Sequence, residues 1–335
     1  METLILKDDN KGILTAAKML REGKIVAVPT ETVYGLGANA FDENAVKNVF
    51  VAKGRPQDNP LIVHIAQLED VLPLTSLEKL PQSVLDLAKK FWPGPLTMVL
   101  PKSDKVPSVI SAGLNTVAIR MPSNQVVRSI ISKAGVPIAA PSANLSGKPS
   151  PTTANHVIED LDGKIDGIVV SDDCQVGVES TVILISDNGF RLLRPGKITV
   201  NMLEKVLGKI EIDKAVLSDI TDKNVSSPGM KYKHYAPDTQ LYLVEGESEK
   251  FRDFILSKDN AFSICFEEDE LLQNKIVYGS IKNPDSLAQG IFKALRQVDT
   301  VGVEEAYVHA PDKDGVGLAV YNRLLRACAF KVIKL

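Results

Sequence analysis

Cysteine is scarce in this chain of 335 residues: Cys174, Cys265 and Cys328 are widely separated, with no CxxC pair. An odd, scattered set is no disulfide framework and fits a reducing compartment. Histidine is nearly as sparse, and none stands at metal-ligand spacing from a cysteine, so no metal held by protein side chains is expected. Long apolar runs are missing. Leu61–Ile65 is a strand-length stretch interrupted by His64, far short of the roughly 20 residues that span a bilayer. The opening METLILKDDNKG carries early acidic residues and no small-residue cleavage end, unlike a secretory leader. A cytoplasmic protein without membrane contact is the expectation. Positive charge is not in excess either, the formal net charge being −3. That argues against tight, autonomous binding to RNA, whose phosphates supply most of such affinity, and leaves at most weak contact with tRNA. Three common fingerprints are absent as well: GxxxxGK[ST], HExxH and GxSxG.

What is present is an ordinary globular balance, 44% hydrophobic and 24% charged, on a chain long enough for two cores. Ile13, Ala16, Ala17 and Leu20 make one helical face, and Asp42 is placed to cap a helix through Val46, Val49 and Phe50. Strand patterns recur at Ile25–Val28, Leu61–Ile65, Thr97–Leu100, Val117–Arg120, Pro137–Ala140, Ile168–Val170, Thr181–Ile185 and Phe190–Arg194. Helices are expected at Pro81–Phe91, Gln125–Lys133 and Thr199–Leu207. The pattern predicts an α/β domain over residues 10–208, a linker over 209–239 and a small Rossmann-like α/β domain over 240–335. In the last of these, Leu287, Ile291, Leu295 and Val298 share one helical face, and Tyr321, Leu324, Leu325 and Cys328 another. It has no GxGxxG, so no dinucleotide site is expected there.

Candidate chemistry clusters at strand ends. PTETVYGLG (29–37) sets hydroxyls, one carboxylate and two glycines after a strand, where Thr32 and Tyr34 can direct hydrogen bonds to a small polar ligand. KGRPQDNPLIVHI (53–65) puts Lys53 and Arg55 on a short turn suited to a polyanion, though such a tripeptide is ordinarily a solvated basic turn. Arg120 ends an apolar strand in TVAIRMP (116–122), a costly place for a charge without an anionic partner: either a substrate carboxylate or a structural Asp or Glu. APSANLSGKPSPT (140–152) can present backbone N–H groups to phosphate. PGMKYKHYAP (228–237) is an aromatic and basic stretch that could stack on a base, or simply strap two domains together.

Each cluster alone is weak, but their order is specific. PTETVYGLG, KGRPQDNPLIVHI, FWPGPLTMVL, TVAIRMP, APSANLSGKPSPT, ESTVI and LLRPG together resemble the YrdC-type domain over nearly all of residues 10–208. PGMKYKHYAP and the small domain after it resemble the extension of the long, two-domain threonylcarbamoyl-AMP synthases. The resemblance implies an open, twisted α/β sheet with a basic cavity and synthesis of L-threonylcarbamoyladenylate from L-threonine, bicarbonate and ATP. Mg²⁺ would accompany ATP, and the product would pass to a transferase acting on tRNA. It also implies residue roles. Thr32, His64, Arg120, Ala140 and Ser180 would line the threonine pocket. Lys53 and Arg55 would contact the triphosphate, with Asn59, Thr116, Ser142, Ser150 and Arg194 completing the nucleotide site. Tyr232 or Tyr235 would close over it, with Thr30 and Tyr34 as further contacts. The competing reading is an RNA-binding accessory module of tRNA modification.

Overall fold

The computed structural model describes residues 1–218 and 235–335, and Tyr232 lies outside them. Among the described residues an eleven-stranded mixed sheet occupies the first part of the chain. Its strands run in the order Leu4–Lys7, Gly167–Val170, Val26–Val28, Gly35–Asn39, Ile138–Ala140, Ile62–His64, Thr116–Arg120, Leu96–Pro101, Thr181–Ser186, Gly189–Arg194 and Glu211–Ile212. A second, five-stranded sheet is parallel throughout: Lys275–Val277, Ser263–Cys265, Glu305–His309, Gln240–Glu245 and Val332–Lys334.

Local chemistry sets the helix ends. Asp42 accepts from the backbone N–H groups of Asn44 and Ala45 and so starts Glu43–Lys53, which Gly54 ends in the left-handed region at φ 59°. Asn124 caps Gln125–Ala134 in the same manner. The helix of residues 10–21 buries Ala16, Ala17 and Leu20 as its spacing predicts, with Met19 buried as well and Ile13 half-buried. The glycine-rich GLGAN, for which no strand is expected, is the strand Gly35–Asn39, antiparallel to Val26–Val28. Glycine is there for space: a Cβ on Gly35 would stand 3.3 Å from that of Ala140, and one on Gly37 3.2 Å from Ile138.

The two sheets share their packing. Val33 and Val178, from the first part of the chain, belong to the apolar cluster of the second sheet with Tyr235, Phe292 and Leu324. The helix Gly317–Ala327 is buried all round because it lies between the two cores. Its apolar stripe is as the sequence predicts, but it also carries two buried arginines, Arg323 and Arg326.

Candidate active site

Strand register assembles the site. His64 pairs with Arg120, Arg120 with Thr97, Thr97 with Val182, and Val182 with Arg194. Residues directly opposite one another in a sheet project from the same face. One transverse row therefore lays His64, Arg120, Thr97 and Arg194 across five strands. Ile62, Val99, Ala118, Val182 and Leu193 form an apolar cluster among the same strands.

Above this row lies a cavity of about 730 Å³, counting its open mouth. Thr30, Thr32, Lys53, Arg55, His64, Arg120, Ala140, Ser142, Ser180, Arg194 and Tyr235 line it. Five cations (Lys53, Arg55, Arg120, Lys148, Arg194) face one lining carboxylate, Glu179, so an acidic protein holds a positive cavity. Not every expected residue reaches it. Thr116 opens the strand that Arg120 ends, on the order of 13 Å away at ~3.3 Å per residue, and it does not line the cavity. Asn59 is buried beside it, its carbonyl taking a long 3.4 Å contact from Arg55. Ser150 is buried behind the wall, its hydroxyl on Glu179 at 2.5 Å. Tyr34 turns away, donating to the Ser171 carbonyl at 3.0 Å.

The polar partners divide the cavity into two ends. At one, Arg120 meets the buried Glu31 carboxylate at 2.8 Å and donates to the Thr32 hydroxyl at 2.9 Å. Of the two partners open for Arg120, the structural carboxylate is thus present. Its guanidinium holds Glu31 below the usual carboxylate range against the opposing effect of burial. Ser180 stands between Thr97, at 2.7 Å, and Arg194, which donates to its hydroxyl at 3.1 Å and its carbonyl at 3.0 Å. His64 is buried with Nδ1 3.2 Å from the Ile62 carbonyl. Burial and the neighbouring Arg120 push its pKa down to about 3, so the ring is neutral at physiological pH.

At the other end Lys53 spends its ammonium on the 142–144 loop, donating to the carbonyls of Ser142 (2.5 Å) and Asn144, with a longer 3.4 Å contact to the Asn144 side chain. Burial and the nearby Arg55 push it well below the ordinary lysine range. Lys53 thus orders a loop, whereas Arg55 lines the cavity with a buried Nε that lacks a hydrogen-bond partner. Tyr235 packs on Phe292 with ring centroids 5.2 Å apart and adopts a left-handed φ of 63°. The Ala236 N–H that follows it donates to the Gly147 carbonyl at 3.0 Å, pinning this piece of the linker to the loop after Ile138–Ala140.

Comparison with known proteins decides the family. Residues 18–196 match the family described as telomere recombination, and 198–329 match the threonylcarbamoyl-AMP synthase C-terminal domain. A threonylcarbamoyl-AMP synthase of Pyrococcus abyssi is 47% identical over 96% of this chain and 95% of its own. One from Bacillus subtilis is 45% identical over 98% and 96%.

The chain belongs to the threonylcarbamoyl-AMP synthase family.

Membership makes it an enzyme of the nucleotidyltransferase type. The crystal structure of P. abyssi Sua5 complexed with L-threonine superposes with a TM-score of 0.91 at 43% identity, covering 100% of both chains. Both sheets of this chain are therefore the family's architecture. No described helix is long and apolar enough to cross a membrane.

Sequence reasoning had passed over several residues of this synthase site. Glu179 stood beside the chosen Ser180 in ESTVI, and Glu31 inside PTETVYGLG, but no signal said which carboxylates would face arginines. Thr97 gave no sign at all in an apolar strand. Arg323 could have been found by the argument used for Arg120, as a cation inside an apolar segment.

Proposed function

We propose that the chain condenses L-threonine, bicarbonate and ATP into L-threonylcarbamoyladenylate, releasing pyrophosphate, and that a transferase then uses the adenylate to make N6-threonylcarbamoyladenosine in tRNA. The observation that carries this reading is the cavity lining. One cavity brings a small polar end (Thr32, Arg120, Ser180, His64), with Arg194 held on Ser180, together with a cationic end (Lys53, Arg55). That a relative is complexed with L-threonine supports the amino acid as substrate, and this reading assigns it to the polar end.

The nucleophile in this scheme is the substrate itself. The deprotonated threonine amine bonds to the bicarbonate carbon, water leaves, and a carbamate remains. A carbamate oxygen then bonds to the α-phosphorus of ATP while the bond to the bridging oxygen breaks, its electron pair leaving with pyrophosphate. The protein supplies position and positive charge. Arg120 holds the threonine carboxylate while keeping its contact to Glu31. Neutral His64 and the hydroxyls of Thr32 and Ser180 can accept from the substrate hydroxyl, and Ala140 leaves room for its methyl. Arg55 and Arg194 meet phosphate oxygens. Ser142 and the loop held by Lys53 border them, and Tyr235 covers the nucleotide.

No three His, Cys, Asp or Glu side chains converge to hold a metal among the described residues, and Glu31 and Glu179 are each tied to an arginine. In this reading Mg²⁺ would enter on the ATP phosphates, offsetting their charge.

Pyrophosphate release from ATP should require both threonine and bicarbonate. Serine should replace threonine with kcat/KM lower by roughly 10- to 200-fold, since a missing methyl is worth about 1–3 kcal/mol. Equal rates with serine would overturn the pocket assignment. Release indifferent to threonine and bicarbonate would overturn the reaction.

A further inference from the structure

Arg323 is the largest fully buried side chain of the described residues, and it lies outside the large sheet altogether, on the helix Gly317–Ala327. Its guanidinium crosses between the two cores. Nε donates to a Glu179 carboxylate oxygen at 2.9 Å, Nη2 to the Glu179 carbonyl at 3.3 Å, and Nη1 to the Pro195 carbonyl at 2.9 Å. One side chain thus clasps the residue before Ser180 and the residue after Arg194. These two segments already touch, since a Cβ on Gly196 would fall 2.4 Å from the Thr181 nitrogen and 2.9 Å from the Glu179 carbonyl. Ser180 and Arg194 are the cavity residues that the clasp brackets. The second Glu179 oxygen accepts from Ser150, and Arg194 also bears on that carboxylate electrostatically.

We propose that Arg323 is a positioning residue of the active site, contributed by the second sheet's domain. By engaging the Glu179 carboxylate it leaves Arg194 on Ser180 and turned to the nucleotide. The inference rests on the proposed synthesis and extends it to a specific duty of the C-terminal part of the chain.

The physical argument is a competition for charge. A buried carboxylate that loses its cation is left as a costly uncompensated charge and draws on any other cation within reach. For Glu179 without Arg323 that cation is Arg194, so the site would lose phosphate-facing charge while the polar end around Arg120 kept its contacts. Other contacts between the two parts do a different job. Arg296 pairs with Asp160 at 2.7 Å, and Asn322 donates to the Val216 carbonyl at 2.6 Å. Neither Arg296 nor Asn322 touches Glu179 or lines the cavity.

The test uses the full chain and threonine-dependent pyrophosphate release. Arg323→Met should lower kcat/KM for ATP at least tenfold, while the Kd of threonine measured by calorimetry stays within twofold. The double variant Glu179→Gln/Arg323→Met should regain most of the lost kcat/KM, because the neutral amide no longer competes for Arg194. Repair of a buried pair restores stability as well, so the discriminating readout is the split: merely loosened domains would weaken threonine binding along with ATP turnover. The proposal is overturned if Arg323→Met keeps kcat/KM for ATP within twofold of the unaltered protein, or if the double variant is no better than the single one. Absence of threonine-dependent release in the unaltered protein would instead strike the proposed reaction, which separates the two failures.

Discussion

Arg120 holds its charge in the floor of a sheet at 3% exposure, and Glu31 beside it is 6% exposed. Neither ion would be stable there alone. Breaking a buried pair by removing one partner costs about 3–5 kcal/mol, whereas removing both charges is far milder. Arg120→Met should therefore lower the free energy of unfolding by roughly that amount, and Glu31→Gln/Arg120→Met should recover most of it, as measured by urea titration. Equal stability of the two variants would mean that the pair is not the source of the effect. This residue also marks the reach of sequence reading. A cation closing an apolar strand announces that it needs an anion, but Glu31 lies 89 positions earlier in sequence and nothing local selects it over its neighbours. Glu179 and Arg323, 144 positions apart, are the same case.

Elements were legible where period and caps agree. The helix begun by Asp42 stands where its cap predicts, Gln125–Ala134 covers the helix expected at Gln125–Lys133, and the strands Ile62–His64, Thr116–Arg120 and Gly189–Arg194 fall on expected strand stretches. Leu4–Lys7 was not legible: its four residues become a strand by pairing in parallel with Gly167–Val170, a partner far along the chain. Gly35–Asn39 was not legible either, because glycine signals both turns and close approach. Gly177 shows what close approach can do between elements. At φ 83° it faces the helix Pro284–Val301, and a Cβ would fall 2.3 Å from the Ala288 carbonyl oxygen and 2.4 Å from the Gln289 Cα. Both obstacles are backbone. Gly177→Ala should cost more than the ~1–2 kcal/mol of left-handed strain alone, because the helix must also move away. Thermal unfolding together with faster proteolysis between the two parts would show this, and an unchanged melting temperature would contradict it.

The whole molecule is acidic yet encloses a cationic cavity, and its response to acid follows from which groups are buried neutral. His64 is held down to about 3 and His156 to about 4, both chiefly by burial. Above the ordinary histidine pKa of about 6.5 both states are neutral and these residues are silent. Below it the unfolded chain takes up protons that the native fold refuses. Stability should then fall by up to about 1.4 kcal/mol per pH unit for buried His64, and by less for half-buried His156 because water screens it. Glu31 and Glu179, with lowered pKa values, add a loss of the same sign once pH drops below the normal carboxylate range. Chemical denaturation between pH 8 and 4 should show stability level at first and declining below about 6.5. A rise toward acid would refute the neutral-histidine assignment. The transverse row carries one more consequence, for how such a chain can change length. Successive strand residues alternate faces, so inserting or deleting a single residue inside a regularly paired strand would swing His64, Arg120 or Thr97 to the opposite side. A bulge is the one way to absorb an odd residue, and the strand of Arg194 has such a register shift between Leu192 and Arg194. Length can therefore change by even steps within these strands, or by an odd step only where a bulge takes it up.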